Sequence, residues 1–113
     1  MAKYSEMAKI KYLKNPHPGE ILQEEFLHPL QLSQKELADA IDISTYKIHS
    51  IIHARTKITA DLDLRLSKYF GLSEGYWLRL QNAYDMIEAK QVSSESIAMI
   101  KPCIKIIDHR LNT

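Results

Sequence analysis

His49 and His53 stand four residues apart, the spacing at which two imidazoles on one helix face can share a metal ion. Such a site needs a third ligand. No glutamate follows His49 in the order His-Glu-x-x-His, and the single cysteine, Cys103, is remote and has no cysteine partner. Glu24 and Glu25 are adjacent, so on a helix they point about 100° apart and read as a solvated face, not as paired acids in a cleft. Three scattered glycines offer no glycine-rich phosphate loop. Metal binding, a cofactor and catalysis find no support in these patterns, and a protein that is not an enzyme is expected. What remains is recognition by polar and cationic side chains.

The stretch Leu32–Arg55 places those side chains. Ser33 with Glu36 three residues later is a capping box: the hydroxyl takes an orphan backbone N–H and the carboxylate reaches back. Ser44 is a second N-cap candidate. Leu37, Ala38 and Ile41 make one apolar stripe, with Ala38 small enough for a second helix to approach. Ile48, Ile51 and Ile52 fall within roughly 100° of arc on that second helix. The opposite face collects Tyr46, His49, Ser50 and His53, flanked by Thr45 and Lys47. A short helix whose outer face is neutral or cationic suits the major groove of DNA. The pattern is a helix-turn-helix.

The expected DNA-binding set is Gln34, Ser44, Thr45, Tyr46, Lys47, His49, Ser50, His53, Arg55 and Lys57. Thr45, Tyr46 and Ser50 are expected at base edges, because the first part of a recognition helix enters the groove. Gln34, Lys47, His49, His53 and Arg55 are expected mostly on phosphates, which position a domain without specifying sequence.

Composition is compatible with this. The 113 residues, 45% of them hydrophobic, suffice for one domain with a modest core. One cysteine excludes an internal disulfide and fits a reducing cytoplasm. No apolar run approaches the roughly 20 residues that span a bilayer, so no membrane partner is expected, and the lysine-bearing N-terminus has no apolar signal core. The net charge of +1 hides an uneven distribution. Ile43 to Ile58 carries Lys47, Arg55 and Lys57 and no acid, whereas helix one carries Glu20, Glu24 and Glu25.

In chain order, 1–15 is a basic N-terminal tail with Lys3, Lys9, Lys11 and Lys14 against Glu6. It reads either as a solvated arm or as a segment that touches phosphate or a protein partner. Residues 16–90 form the helix-turn-helix domain. Pro18 and Glu20 open helix one, which stops near Leu27 before Pro29. Thr59 caps helix four, with Asp61 and Asp63 in its first turn, Leu62, Leu66, Tyr69 and Phe70 as its buried stripe, and Gly71 as its stop. Ser73 with Glu74 starts helix five, which carries Trp77, Leu80, Tyr84 and Ile87 to about Lys90. Val92–Ser96 breaks the pattern. In the extension 91–113, Ile97–Ile100 is expected as a helical turn or short helix ended by Pro102, and Cys103–Ile107 as a short strand or part of an oligomer contact.

Several motifs together resemble one family. They are His17-Pro18-Gly19-Glu20-Ile21-Leu22, Leu32-Ser33-Gln34 through Ser44, Ile58-Thr59-Ala60-Asp61, Leu64-Arg65-Leu66, Phe70-Gly71, and Tyr76-Trp77-Leu78-Arg79-Leu80-Gln81-Asn82-Ala83-Tyr84-Asp85. The ordered set, covering about Pro16 to Lys90, is similar to HigA antitoxins of host-inhibition-of-growth modules, in the lambda-repressor-like class. The resemblance implies an all-α, five-helix domain that acts as a homodimer. It also implies binding to the operator of its own operon and neutralisation of a HigB/RelE-like mRNA-cleaving toxin. The alternative is a helix-turn-helix-derived interaction module that sequesters a partner without binding operator DNA. Departures bear on this choice. Asp42 stands where a turn glycine is usual, His53-Ala54 where Asn-Gly is common, and Asp63 where a small apolar residue is usual.

Overall fold

The computed structural model describes residues 15–105, in which five helices and no strand occur. The N-terminal tail to residue 14 and residues 106–113 lie outside the described residues. Helix α1 begins as an α-helical turn, Pro18–Ile21, and runs on as a π-helical segment, Leu22–Leu27. His17 caps it: its Nδ1 accepts the Gly19 N–H at 2.9 Å, while Pro18, with no N–H to satisfy, occupies the first turn. The chain leaves through a turn with Gln31 at φ 51°.

Helices α2 (Gln34–Ile41) and α3 (Thr45–Ile52) are the helix-turn-helix pair. The capping box at Ser33 and Glu36 is formed in both directions, at 3.0 Å each way. Those bonds favour the Glu36 carboxylate and lower its pKa. Leu37, Ala38 and Ile41 are buried, as their stripe predicts, and so are Ile48 and Ile51, with Ile52 half-buried. Helix α4 is Ala60–Phe70, capped by Thr59. Arg65 on α4 ties it back to α2, donating to the Ile41 carbonyl at 2.8 Å where that helix ends.

Four helices end the same way. At Gln31, Asp42, Ala54 and Gly71 the backbone is left-handed, and the next N–H returns to the carbonyl five residues earlier: Leu32 to Leu27, Ile43 to Ala38, Arg55 to Ser50, Leu72 to Ser67. Gly71 is the residue type this geometry favours. Asp42 and Ala54 hold it without glycine, so both turns survive the departures noted in the sequence.

Helix α5, Tyr76–Ala98, corrects the expectation at both ends. It starts three residues after Ser73, because its cap comes from α4. The buried Asp63 carboxylate accepts from the N–H groups of Gly75 at 2.6 Å, Trp77 at 2.7 Å and Leu78 at 3.1 Å. Its far end runs through Val92–Ser96, which contains serines but neither proline nor glycine to stop a helix. Ile97 belongs to this helix, and Met99–Cys103 is non-helical. Ile104 and Lys105 are helical, so the strand expected there does not form in the part of Cys103–Ile107 that is described.

The core lies where α1 to α5 meet. Trp77 and Leu66 are fully buried in it, and Phe26 sets its ring 4.9 Å from that of Phe70 and 5.0 Å from that of Trp77. Tyr69, expected in the α4 stripe, is instead exposed, with its ring edge-on to Phe70.

Candidate nucleic-acid interface

The first turn of α3 projects outward because two devices fix the helix at its ends. Ser44 Oγ accepts the Lys47 N–H at 3.1 Å, which sets where the helix begins. At the other end, Gly19 of α1 stands directly against the Ile51 carbonyl, so that α1 supports the helix from behind. Thr45 and Tyr46 are exposed on this first turn, Tyr46 by 75%. Lys47 and His49 are half-buried and His53 is exposed. The two imidazole rings lie 4.2 Å apart and are tilted by 50°. Among the described residues no third His, Cys, Asp or Glu joins them to make a metal cluster.

One member of the expected set is misplaced. Ser50 is 4% exposed, so its side chain is not on the outer face. Both α1 and α2 pack against α3, and burial therefore extends past the isoleucine stripe. Gln34, the first residue of α2, is half-buried beside the same surface.

The exit loop supplies the cations. The left-handed Ala54 turns the chain so that Arg55 and Lys57 are exposed. Helix α5 then holds the loop from the side. The Ile58 N–H donates to Gln81 Oε1 at 2.9 Å, Gln81 Nε2 donates to Asp85 Oδ1 at 3.1 Å, and Lys57 Nζ donates to Asp85 Oδ2 at 3.4 Å. A small cavity of about 210 Å³ lies here, lined by His17, Ala54, Arg55, Thr56, Lys57, Gln81, Tyr84 and Asp85. Asn15 Nδ2 donates to the Tyr84 carbonyl at 2.9 Å, and the His17 and Tyr84 rings meet edge-on at 4.9 Å. Burial lowers the His17 pKa, against the pull of Asp85 in the other direction. A neutral His17 is what its role as acceptor requires.

Gln81 and Asp85 are the residues that sequence reasoning left without a role. They lie 23 and 28 residues from their loop partners, beyond the reach of any local pattern. The available signal was their place in the Gln-Asn-Ala-Tyr-Asp block. No helix of the described residues is long and apolar enough to cross a membrane.

No family model matches the sequence. Individual relatives do. Virulence-associated protein I of Dichelobacter nodosus is 46% identical over 86 residues, covering 76% of this chain and 79% of that protein. The Pseudomonas aeruginosa antitoxin HigA, solved with the higBA promoter, superposes with a TM-score of 0.75 at 34% identity, covering 80% of this chain and 100% of that one. An addiction module antidote protein of the HigA family from Coxiella burnetii gives 0.74 at 38% identity, covering 80% of this chain and 99% of that one. With that identity along nearly the whole length of the solved HigA chains, and with their fold, this chain belongs to the HigA family of helix-turn-helix antitoxins.

Proposed function

We propose that this chain binds the operator of its own operon as a homodimer and neutralises a HigB/RelE-like mRNA-cleaving toxin. The observation that carries the DNA half is the acid-free run from Ile43 to Ile58, which presents Thr45, Tyr46, Lys47, His49, His53, Arg55 and Lys57 on α3 and its exit loop. Support also comes from the Pseudomonas HigA relative, which was solved with its promoter. Thr45 and Tyr46 read base edges here, and the cations and histidines hold phosphates. Ser44 acts as the cap that aims the helix.

One such module buries little surface, so a tight complex needs two recognition helices about 34 Å apart on a palindrome. The second half of α5 and the segment behind it serve the dimer: Met86, Val92, Ile97, Met99, Ile100 and Ile104 are all exposed there. The domain boundaries follow as a basic tail 1–15, a DNA-binding domain 16–90 and a dimerisation segment 91–113. The cytoplasm, where its operon lies, is the compartment in which the protein acts.

A gel shift on the promoter of its own operon tests this, together with inspection of the adjacent reading frame. Salt-sensitive, sequence-preferring binding beside a small basic RelE-like frame is the expected result. Absence of any shift, with co-purification of a partner protein, favours the sequestering module.

A further inference from the structure

Lys57 differs from the other cations of the proposed interface. Of Lys47, Arg55 and Lys57, it is the one with an acidic partner among the described residues, since its Nζ lies 3.4 Å from Asp85 Oδ2. The pair is open to solvent, with the Lys57 side chain 74% and the Asp85 side chain 37% exposed. The two ends of the contact are held unequally. Asp85 is fixed through its other oxygen, Oδ1, by Gln81 Nε2 at 3.1 Å, and Gln81 is itself buried and bound to the Ile58 N–H. Lys57 has a flexible stem, and among the described residues Asp85 is the one polar partner of its ammonium. The ammonium can therefore swing away, while the carboxylate stays in place beside the exit loop.

We propose that Asp85 is a built-in competitor for the DNA backbone: it occupies Lys57 in the free protein, and Lys57 exchanges the carboxylate for a phosphate when DNA binds. The inference rests on the DNA-binding reading of the exit loop. The chemistry of the exchange is like for like, one oxyanion for another on the same ammonium, with no covalent change. Asp85 keeps the Gln81 bond throughout, so the exchange leaves no buried group unpaired. It also leaves a fixed negative charge near the phosphates, which opposes binding. Asp85 thus sets how strongly the loop holds any DNA, specific or not, because a phosphate contact carries no sequence information.

The test is equilibrium binding of the full chain to two duplexes of equal length, its own operator and a scrambled sequence, at low and at moderate salt. Asp85→Asn removes the charge and keeps an oxygen for Gln81, and Asp85→Ser removes the carboxylate entirely in case the amide finds new partners. Both are expected to bind both duplexes about two- to fivefold more tightly, the range that an exposed ion pair of this kind spans. The gain shrinks as salt rises. In a Lys57→Gln background, which by itself weakens binding to both duplexes, most of the gain disappears.

Weaker or unchanged binding by both Asp85 variants overturns the proposal. So does a gain that persists in full without Lys57, because the effect is then net charge alone. Should the wild type bind neither duplex in a salt-dependent way, the DNA-binding reading falls and the exchange falls with it. That outcome is separable from the others because it appears before any variant is made.

Discussion

Gly19 of α1 lies so close to the Ile51 carbonyl of α3 that a Cβ there would overlap the oxygen. The obstacle is backbone, which cannot rotate away. Gly19→Ala is therefore expected to push α3 outward and cost about 3 kcal/mol, the upper part of the range for overpacked cores. Urea unfolding measures the loss, and operator affinity should fall with it. A variant as stable as the wild type shows that the two helices have room to separate.

Asp63 gives three bonds to the start of α5, and Gly75 at φ 91° offers no side-chain cap of its own. Replacing it by alanine leaves those donors without their acceptor. A loss of about 3 kcal/mol is expected. Hydrogen exchange at Trp77 and Leu78 should accelerate most. If exchange speeds up equally across all helices, the carboxylate is not acting as a local cap.

Ala54 carries a left-handed φ of 59° at the exit of α3. That conformation costs an L-residue about 1 kcal/mol, and glycine avoids the cost while adding freedom to the unfolded chain. Ala54→Gly should therefore be stabilising by about 0.5 kcal/mol, read as a rise in the urea midpoint. A fall means that the methyl group packs in a way that outweighs the backbone term.

His17 sets a pH dependence of stability. Its folded-state pKa lies below the unfolded value of about 6.5 because of burial. The unfolded chain therefore takes up the proton first as pH falls. The His17 contribution is complete above about pH 6.5 and is lost below it, down through the folded pKa. Protonation also removes the acceptor that the Gly19 N–H uses. Between pH 7.5 and 5 the wild type should lose more stability than His17→Asn, which keeps an acceptor and does not titrate. Equal losses assign the pH effect to other groups.

Arg55 and Tyr46 should separate affinity from specificity. Arg55→Ala is expected to weaken operator and random DNA alike and to reduce the salt slope by about one. Tyr46→Ala should weaken the operator selectively, by about 1–3 kcal/mol. A changed operator preference in the Arg55 variant reverses the assignment.

Much of this fold was legible because its signals are local. Ser33, Ser44, Thr59 and Gly71 act on backbone groups within a few residues, and each is found at the helix end that it predicts. Leu27 was harder to place. Counted at 100° per residue, Leu22 and Leu27 fall about 140° apart, yet both are buried. The π-helical winding of Leu22–Leu27 brings them towards one face, and no residue type in the segment announces it. Asp63 read as a first-turn acid suited to its own helix dipole, whereas its partners lie 12 to 15 residues ahead. Ser50 was misread from a single wheel: it is 4% exposed, on a helix that packs against both α1 and α2. The acid-free run from Ile43 to Ile58 was readable directly, but the burial of Ser50 within it and the Gln81 and Asp85 hold on its exit loop required the tertiary structure.

The cap that Asp63 lends to α5 ties the folding of the two helices together. A helix pays most of its entropy at the first turn, and here the Trp77 and Leu78 N–H groups of that turn lack their carboxylate acceptor until α4 has formed and docked. The two helices should therefore open and close as one unit, with α5 unable to nucleate at Tyr76 ahead of its neighbour. Beyond Lys90 the same helix is exposed on nearly every side and has no such anchor. Within one continuous rod, the near half inherits the lifetime of the core, and in the single chain, before a second copy covers it, the far half has that of an isolated peptide.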